Sequence, residues 1–278
     1  MKIWRQGKKI FVDQTDYLHK VVEHFGMSNA QGAQIPLPGN TVPTESEGQA
    51  DPDFKQKYQL IIGSLLYIML GTRPDICFAV TKLAQFAANP SNEHMKSAND
   101  ICRYLNSTSD YALVFDGSRD GGLIAFTDSD WAADPIKRRS TTGYFFKLAG
   151  GIFSWKSQAQ KTVALSSTEA EYMALSDCSR QAVWIQSLLR ELGIDIPTVP
   201  ICGDNQGSIF IGSNPIQERC SKHIDIRYHY VRQLIEEKVI DLYFVEGTKN
   251  PADLFTKNLA WPKFSKFRAQ LGLEFFSS

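Results

Sequence analysis

The chain has no Cys-x-x-Cys pair and only five cysteines among its 278 residues. They are scattered at Cys77, Cys102, Cys178, Cys202 and Cys220. An odd, dispersed set argues against a disulfide framework and implies reduced, buried thiols in an intracellular protein. It argues against structural zinc as well, because Cys220-x-x-His223, with His229 beyond, lacks a second cysteine pair. Long apolar runs are also missing. The longest, Leu60 to Leu70, is too short and too interrupted to span a bilayer. No apolar core follows the basic residues Lys2, Arg5, Lys8 and Lys9, so neither a targeting signal nor a membrane partner is expected. Nor is charge of one sign in excess: Lys+Arg and Asp+Glu number 30 each. That balance excludes a bulk polyanion-binding tail, and any nucleic-acid surface must be a local patch.

What is present suffices for a large core. Hydrophobic residues make up 43% and aromatics 12%, enough for one large or two small domains at this length. Residues 1–12 read as a hairpin turning at Gln6-Gly7. An amphipathic helix through Tyr17, Leu18, Val21, Val22 and Phe25 follows, stopped by Gly26. Residues 28–53, rich in Pro, Gly, Ser, Asn and Thr, read as a connector. Helices are expected over Tyr58–Leu70, Asp75–Ala88 and His94–Leu105. After Asp110 the pattern turns to strands: Ala112–Phe115, Gly122–Phe126, then a hairpin of Thr142–Leu148 and Ile152–Lys156. Ser166 or Ser167 caps a helix running to about Leu192. Its apolar stripe takes in Met173, Ala174, Cys178, Ala182, Ile185, Leu188 and Leu189. Trp155 and Trp184 are read as core. Strand Val199–Cys202, a short helix after Gln206, helix Asp225–Glu237, strand Asp241–Val245 and a turn opened by Asn250-Pro251 complete the reading. From Gly122 on, three tightly joined strands should be antiparallel, and the two reached through helices should join in parallel. The expected class is α/β, a five-stranded mixed sheet flanked by helices and preceded by a mostly helical N-terminal segment.

Four short acidic motifs fall in order along the second half: Thr127-Asp128-Ser129-Asp130, Glu169-Ala170-Glu171-Tyr172, Gly203-Asp204-Asn205-Gln206 and Asn250-Pro251-Ala252-Asp253. Carboxylates placed at the end of a sheet can share a pair of Mg²⁺ ions. Two cations about 4 Å apart activate a water and stabilise the leaving oxygen of a phosphodiester. One such motif would mean little, but four together point to a nuclease.

The phrases around these acids carry a family likeness. They are Thr-Asp-Ser-Asp-Trp-Ala (127–132), Arg-Ser-Thr-Thr-Gly-Tyr (139–144), Ser-Trp-Lys-Ser-Gln (154–158), Leu-Ser-Ser-Thr-Glu-Ala-Glu-Tyr (165–172), Lys-His-Ile-Asp-Ile-Arg-Tyr-His (222–229) and Asn-Pro-Ala-Asp-Leu-Phe-Thr-Lys (250–257). The run resembles the ribonuclease H domain of copia-like LTR retrotransposon polyproteins. Gly63-Ser-Leu-Leu-Tyr67 and Thr72-Arg-Pro-Asp-Ile76 resemble the tail of the same element's reverse transcriptase and its connection. The resemblance implies a ribonuclease H-like fold over 111–278, a helical connection over 54–110, a linker over 28–53 and a reverse transcriptase remnant over 1–27. With the polymerase motif Tyr-x-Asp-Asp missing, and protease and integrase motifs missing too, it implies a polyprotein fragment that does not polymerise DNA by itself. The compartment would be a cytoplasmic particle or the nucleus.

The resemblance further implies Mg²⁺-dependent cleavage of the RNA strand of RNA–DNA hybrids, with two ions (Mn²⁺ able to substitute) held by Asp128, Glu171, Asp204 and Asp253. Asp128 is preferred to Asp130, which can serve as a turn hydrogen-bonder. Glu169 and Glu171 lie about 200° apart on a helix and cannot both face one site. The family pattern of small residue, Glu, apolar residue favours Glu171, while a carboxylate at Glu169 suits the helix start by itself. Asp204 and Asp253 could each be simple caps. Clustered carboxylates repel, so without cations at least one pKa must rise. Ser129, Lys156, Ser167, Asn205 and Gln206 are candidates for gripping the hybrid, whose RNA strand is marked by its 2′-hydroxyls. Lys137, Arg138, Arg139 and Lys161 are candidate phosphate contacts. His223 and His229 are possible accessory groups for proton shuttling or product release. Partners would be the hybrid and the reverse transcriptase portion of the polyprotein. Two other readings remain: an inactive remnant that binds nucleic acid or a reverse transcriptase partner, and a DNA-cutting integrase or resolvase of the same superfamily.

Overall fold

The computed structural model describes residues 1–38, 48–118, 122–134, 137–213 and 222–276, without the side chains of 210–213 and 222–225. Two compact units result: Met1–Ser118 together with Asn258–Ser278, and Arg119–Lys257. In the first, β1 (Lys2–Gln6) and β2 (Lys9–Asp13) form the expected hairpin. Helix α1 (Thr15–His24) buries Leu18, Val21 and Val22. Helix α2 (Pro52–Gly71) begins six residues before the apolar pattern suggests. Asp51 explains the early start, since its carboxylate accepts the N–H groups of Asp53 and Phe54 and Pro52 fills the first helical position. After a 3₁₀ turn (Pro74–Ile76), α3 spans Cys77–Ala84 and stops short of the expected Ala88. Helix α4 (Asn92–Asn106) is capped by Ser91 and His94 and leads into β3 (Tyr111–Asp116).

The second unit holds a five-stranded sheet. Its strands are β4 (Ile124–Asp130), β5 (Thr141–Leu148), β6 (Gly151–Ala159), β7 (Val199–Gly203) and β8 (Ile240–Phe244). Between them run α5 (Ser167–Glu191), α6 (Gln206–Ser213) and α7 (Lys222–Glu236). The spatial order is β6-β5-β4-β7-β8, antiparallel among β4, β5 and β6 and parallel from β4 through β7 to β8. This is the mixed sheet expected of a ribonuclease H-like fold. A core of Ala125, Phe146, Tyr172, Ile185, Ile201 and Val231, with their buried neighbours, joins the sheet to α5 and α7. Phe145 stacks on Phe126 and meets Phe255.

Helix α5 starts where Ser166 accepts the N–H of Glu169 at 3.1 Å, and Glu169 in turn accepts the N–H of Leu165 at 2.8 Å. It ends at Gly193, whose φ of +80° is the left-handed conformation that stops helices. Two residues read as core are not: Trp184 is 58% exposed and Leu188 37%. The buried stripe is narrower than the apolar pattern suggests, passing through Ile185 and Leu189 and leaving Leu188 at its margin. Trp155 is half-buried.

The ends of the second unit differ from the expected 111–278. Strand β3 pairs with β2, and the last segment turns back to the first unit. There α8 (Trp261–Gln270) and β9 (Leu273–Phe275), neither expected, complete a sheet of order β1-β2-β3-β9. Arg268 of α8 donates to the hydroxyls of Tyr104 and Tyr111, and Tyr104 donates to Asp75, whose two oxygens accept from Nε and Nη2 of the buried Arg73 while Nη1 donates to the Thr108 carbonyl. Hydrogen bonds on every side compensate the cost of burying this ion pair. Among the described residues, no helix is long and apolar enough to cross a membrane.

Candidate active site

Strand register brings the first two carboxylates together. Strands β4 and β7 run parallel with Phe126 opposite Cys202. Asp128 and Asp204 each lie two residues further on, so strand alternation places both at the same end and on the same face. Glu171 sits early on α5, and its Oε1 accepts the N–H of Ser129 at 3.2 Å. One carboxylate oxygen from each of Asp128, Glu171 and Asp204 lies within 4.8 Å of the others. Asp128 and Glu171 are buried and Asp204 half-buried.

The turn Pro251–Phe255 closes the site. Asn250, fully buried, donates to the Thr127 carbonyl at 2.9 Å and accepts the N–H of Ala252, which fixes the turn onto β4. Room for it comes from Gly143, which faces Asp128 across the β4–β5 ladder. A Cβ at Gly143 would lie 2.6 Å from Thr256 Cγ2 and 2.8 Å from Phe255 Cβ. Asp253 is buried here but is not in the 4.8 Å group. Its Oδ1 meets Lys257 Nζ at 2.6 Å, and the same ammonium is 3.5 Å from Asp128 Oδ2. The Thr256 hydroxyl donates to Asp128 Oδ2. The expectation of four carboxylates in one cluster thus becomes three in a group and a fourth paired with a lysine.

Electrostatics follow from this crowding. Burial pushes the Asp128 carboxyl up to about 7, with Lys257 opposing the rise and Asp253 and Asp204 adding to it. Glu171 is pushed well above the usual carboxylate range by burial and by Asp128 and Asp204. Asp204 is raised by burial and by Asp253. Burial works against the Lys257 ammonium, but Asp128 and Asp253 outweigh it and raise its pKa. Buried like charges of this kind call for a counter-cation. An all-oxygen set of carboxylates suits a hard divalent ion such as Mg²⁺.

The other expected site residues are more dispersed. Glu169 serves the helix start, and Asp130 ends β4 half-buried. Ser129 is buried beside Asp128, with no hydrogen-bond partner for its hydroxyl. Ser167 and Gln206 are exposed at the starts of α5 and α6, and Asn205 caps α6 by accepting the Ser208 N–H at 2.8 Å. Lys156 lies on the edge strand β6, two strands from Asp128, with its ammonium 5.8 Å from the Tyr144 ring centre. His229 is exposed on α7, while the His223 side chain and Cys220 fall outside the described residues. The sequence shows Asn250 only as the opening of a turn and assigns no role to Thr256 or Lys257. The available signal was the spacing of four between Asp253 and Lys257, which suits an ion pair across one turn.

No protein-family model matches the chain. It is 37% identical, over 98% of its own length, to the retrovirus-related Pol polyprotein from transposon TNT 1-94 of Nicotiana tabacum. To that from transposon RE2 of Arabidopsis thaliana it is 33% identical over 97%. The chain spans 21% and 18% of those relatives' lengths. Among solved structures it is similar to LC11-RNase H1, isolated from compost by a metagenomic approach, at 14% identity and a TM-score of 0.39. That match covers 48% of this chain and 91% of the other. A foamy viral protease-reverse transcriptase in complex with double-stranded DNA matches at 12% identity and a TM-score of 0.44, over 89% of this chain and 45% of the other.

Proposed function

On the premise that this chain belongs to the Pol polyprotein family of copia-type retrotransposons, we propose that residues 119–257 form a ribonuclease H. It cuts the RNA strand of RNA–DNA hybrids during reverse transcription and depends on divalent cations, Mg²⁺ first. The observation that carries this reading is the group of three carboxylates within 4.8 Å at the shared end of two parallel strands and a crossing helix. Asp128, Glu171 and Asp204 would hold cation, with Asp253 completing the site beside Asp128. Bound there, divalent cations would supply Lewis-acid activation of a water and neutralise charge on the departing 3′-oxygen. The residues do the rest. Burial of Asp128 and Glu171 excludes competing water, and Ser129 N–H fixes the Glu171 carboxylate. The Ser129 hydroxyl, Ser167, Asn205 and Gln206 offer partners for 2′-hydroxyls and phosphates near the acids, and Lys156 a more distant phosphate contact.

The test is cleavage of a labelled RNA–DNA hybrid, duplex DNA and duplex RNA with and without Mg²⁺. Cleavage of the hybrid alone, with Mg²⁺ alone, is expected. Asp204→Asn should lower it by about 10³-fold or more, the scale on which removing one member of a catalytic unit acts. Full cleavage by that variant would reject the assignment. Cutting of duplex DNA would favour an integrase-like nuclease, and hybrid binding without cutting would favour an inactive remnant.

A further inference from the structure

The four acids are not held alike. Asp128, Glu171 and Asp204 share one space, whereas Asp253 has the Lys257 ammonium 2.6 Å from its Oδ1. The same ammonium stands 3.5 Å from Asp128 Oδ2 and so bridges the first and last acids of the site. Its position is built rather than incidental. The Lys257 N–H donates to the Asp253 carbonyl at 3.2 Å, closing the turn that aims the side chain. Asn250 anchors the same turn to β4, and Thr256 donates to the oxygen of Asp128 that faces Lys257. An ammonium is a compact point charge that seeks oxygen, the nearest a side chain comes to a bound metal cation.

We propose that Lys257 is a built-in cation on the Asp128–Asp253 side of the site, so that divalent ions enter in two unequal steps. The first uses Asp128, Glu171 and Asp204 beside the ammonium. The second requires the ammonium to leave. The bearing of this on turnover rests on the nuclease reading, while the two binding steps do not. Lys257 is here a positioning residue, and a plain structural ion pair would not produce a stepwise effect on cation binding.

The test is Mn²⁺ titration of the full chain by calorimetry, with thermal denaturation of the cation-free protein. Wild type should show one tight and one weak step. Lys257→Gln should tighten the second step by about tenfold or more and lower the cation-free melting temperature. Lys257→Arg, which keeps the charge, should keep two unequal steps. If the Gln variant folds only with cation, electron paramagnetic resonance on Mn²⁺-folded samples of it and of Lys257→Met should count two bound ions where wild type at the same concentration holds one. Steps or counts identical to wild type in the uncharged variants, or equal changes in the Arg and Gln variants, would overturn the proposal. Hybrid cleavage on the same samples separates the two ideas. Stepwise binding without cleavage sinks the nuclease reading alone, and cleavage with unaltered steps sinks this inference alone.

Discussion

Replacing Gly143 by alanine should damage stability and the acidic site together. The added methyl would lie 2.6 Å from Thr256 Cγ2, 2.8 Å from Phe255 Cβ and 3.0 Å from the Phe255 carbonyl carbon. Carbon atoms rest about 3.5–4.0 Å apart, so the overlap nears 1 Å. One of the three contacts is backbone, in a turn held to β4 by Asn250, and it cannot swing aside like the end of a long side chain. Overpacking of this kind costs about 1–3 kcal/mol. At about 2–4 °C per kcal/mol, the melting temperature should fall by about 2–12 °C. Relief must come from moving the turn Pro251–Phe255, and with it Asp253, Thr256 and Lys257, away from Asp128. The Mn²⁺ isotherm should therefore change in the same variant, in the step that involves Asp253 and Lys257, measured by calorimetry at a temperature where the protein remains folded. Wild-type melting and a wild-type Mn²⁺ isotherm would together refute the account of why glycine stands opposite Asp128.

Ile185→Ala, at a fully buried position, should cost about 2–5 kcal/mol in urea denaturation. Leu188→Ala, 37% exposed, should cost less than about 1 kcal/mol, and equal losses would mean that α5 presents a different face. For Asp128, folding raises the carboxyl from its ordinary 3.8 to about 7. The cation-free protein thus takes up a proton on folding between those values. The stabilisation is fully present below about pH 4 and is lost as pH rises through about 7. A divalent ion must displace that proton, so the gain in melting temperature with Mg²⁺ should grow from about pH 5 to about pH 8. A gain that does not change with pH would contradict this electrostatic picture.

The strands of the five-stranded sheet were legible because each is a short apolar or alternating run bounded by turn residues. The parallel and antiparallel joins followed from whether the connection was tight or passed through a helix. Ser166 announced α5, but the width of its buried stripe was not legible, since Leu188 is as apolar as Leu189 and only packing distinguishes them. Segments α8 and β9 escaped notice because β9 has three residues and its partner, β3, lies more than 150 residues away in sequence. No local pattern encodes such a pairing. In the site, the motifs named the acids, yet the nearness of Asp128 to Asp204 depends on the register Phe126 to Cys202. Between Glu169 and Glu171 the family pattern favours Glu171, and the structure engages Glu169 at the helix start and puts Glu171 among the buried acids. Lys257 was overlooked because its bridging role depends on Asp128, far away in the chain.

The pairing of β3 with β9 bears on how the protein is made. One edge of β3 can pair with β2 as soon as both emerge, but the other waits for Leu273–Phe275, after all of Arg119–Lys257 has been synthesised. During translation, which runs from the N-terminus, β3 presents a bare row of peptide groups for that interval. Such an edge is open to strand addition by neighbouring chains. A polypeptide ending just after Lys257 would carry Asp128, Glu171, Asp204 and Asp253 and still leave an adhesive border uncovered.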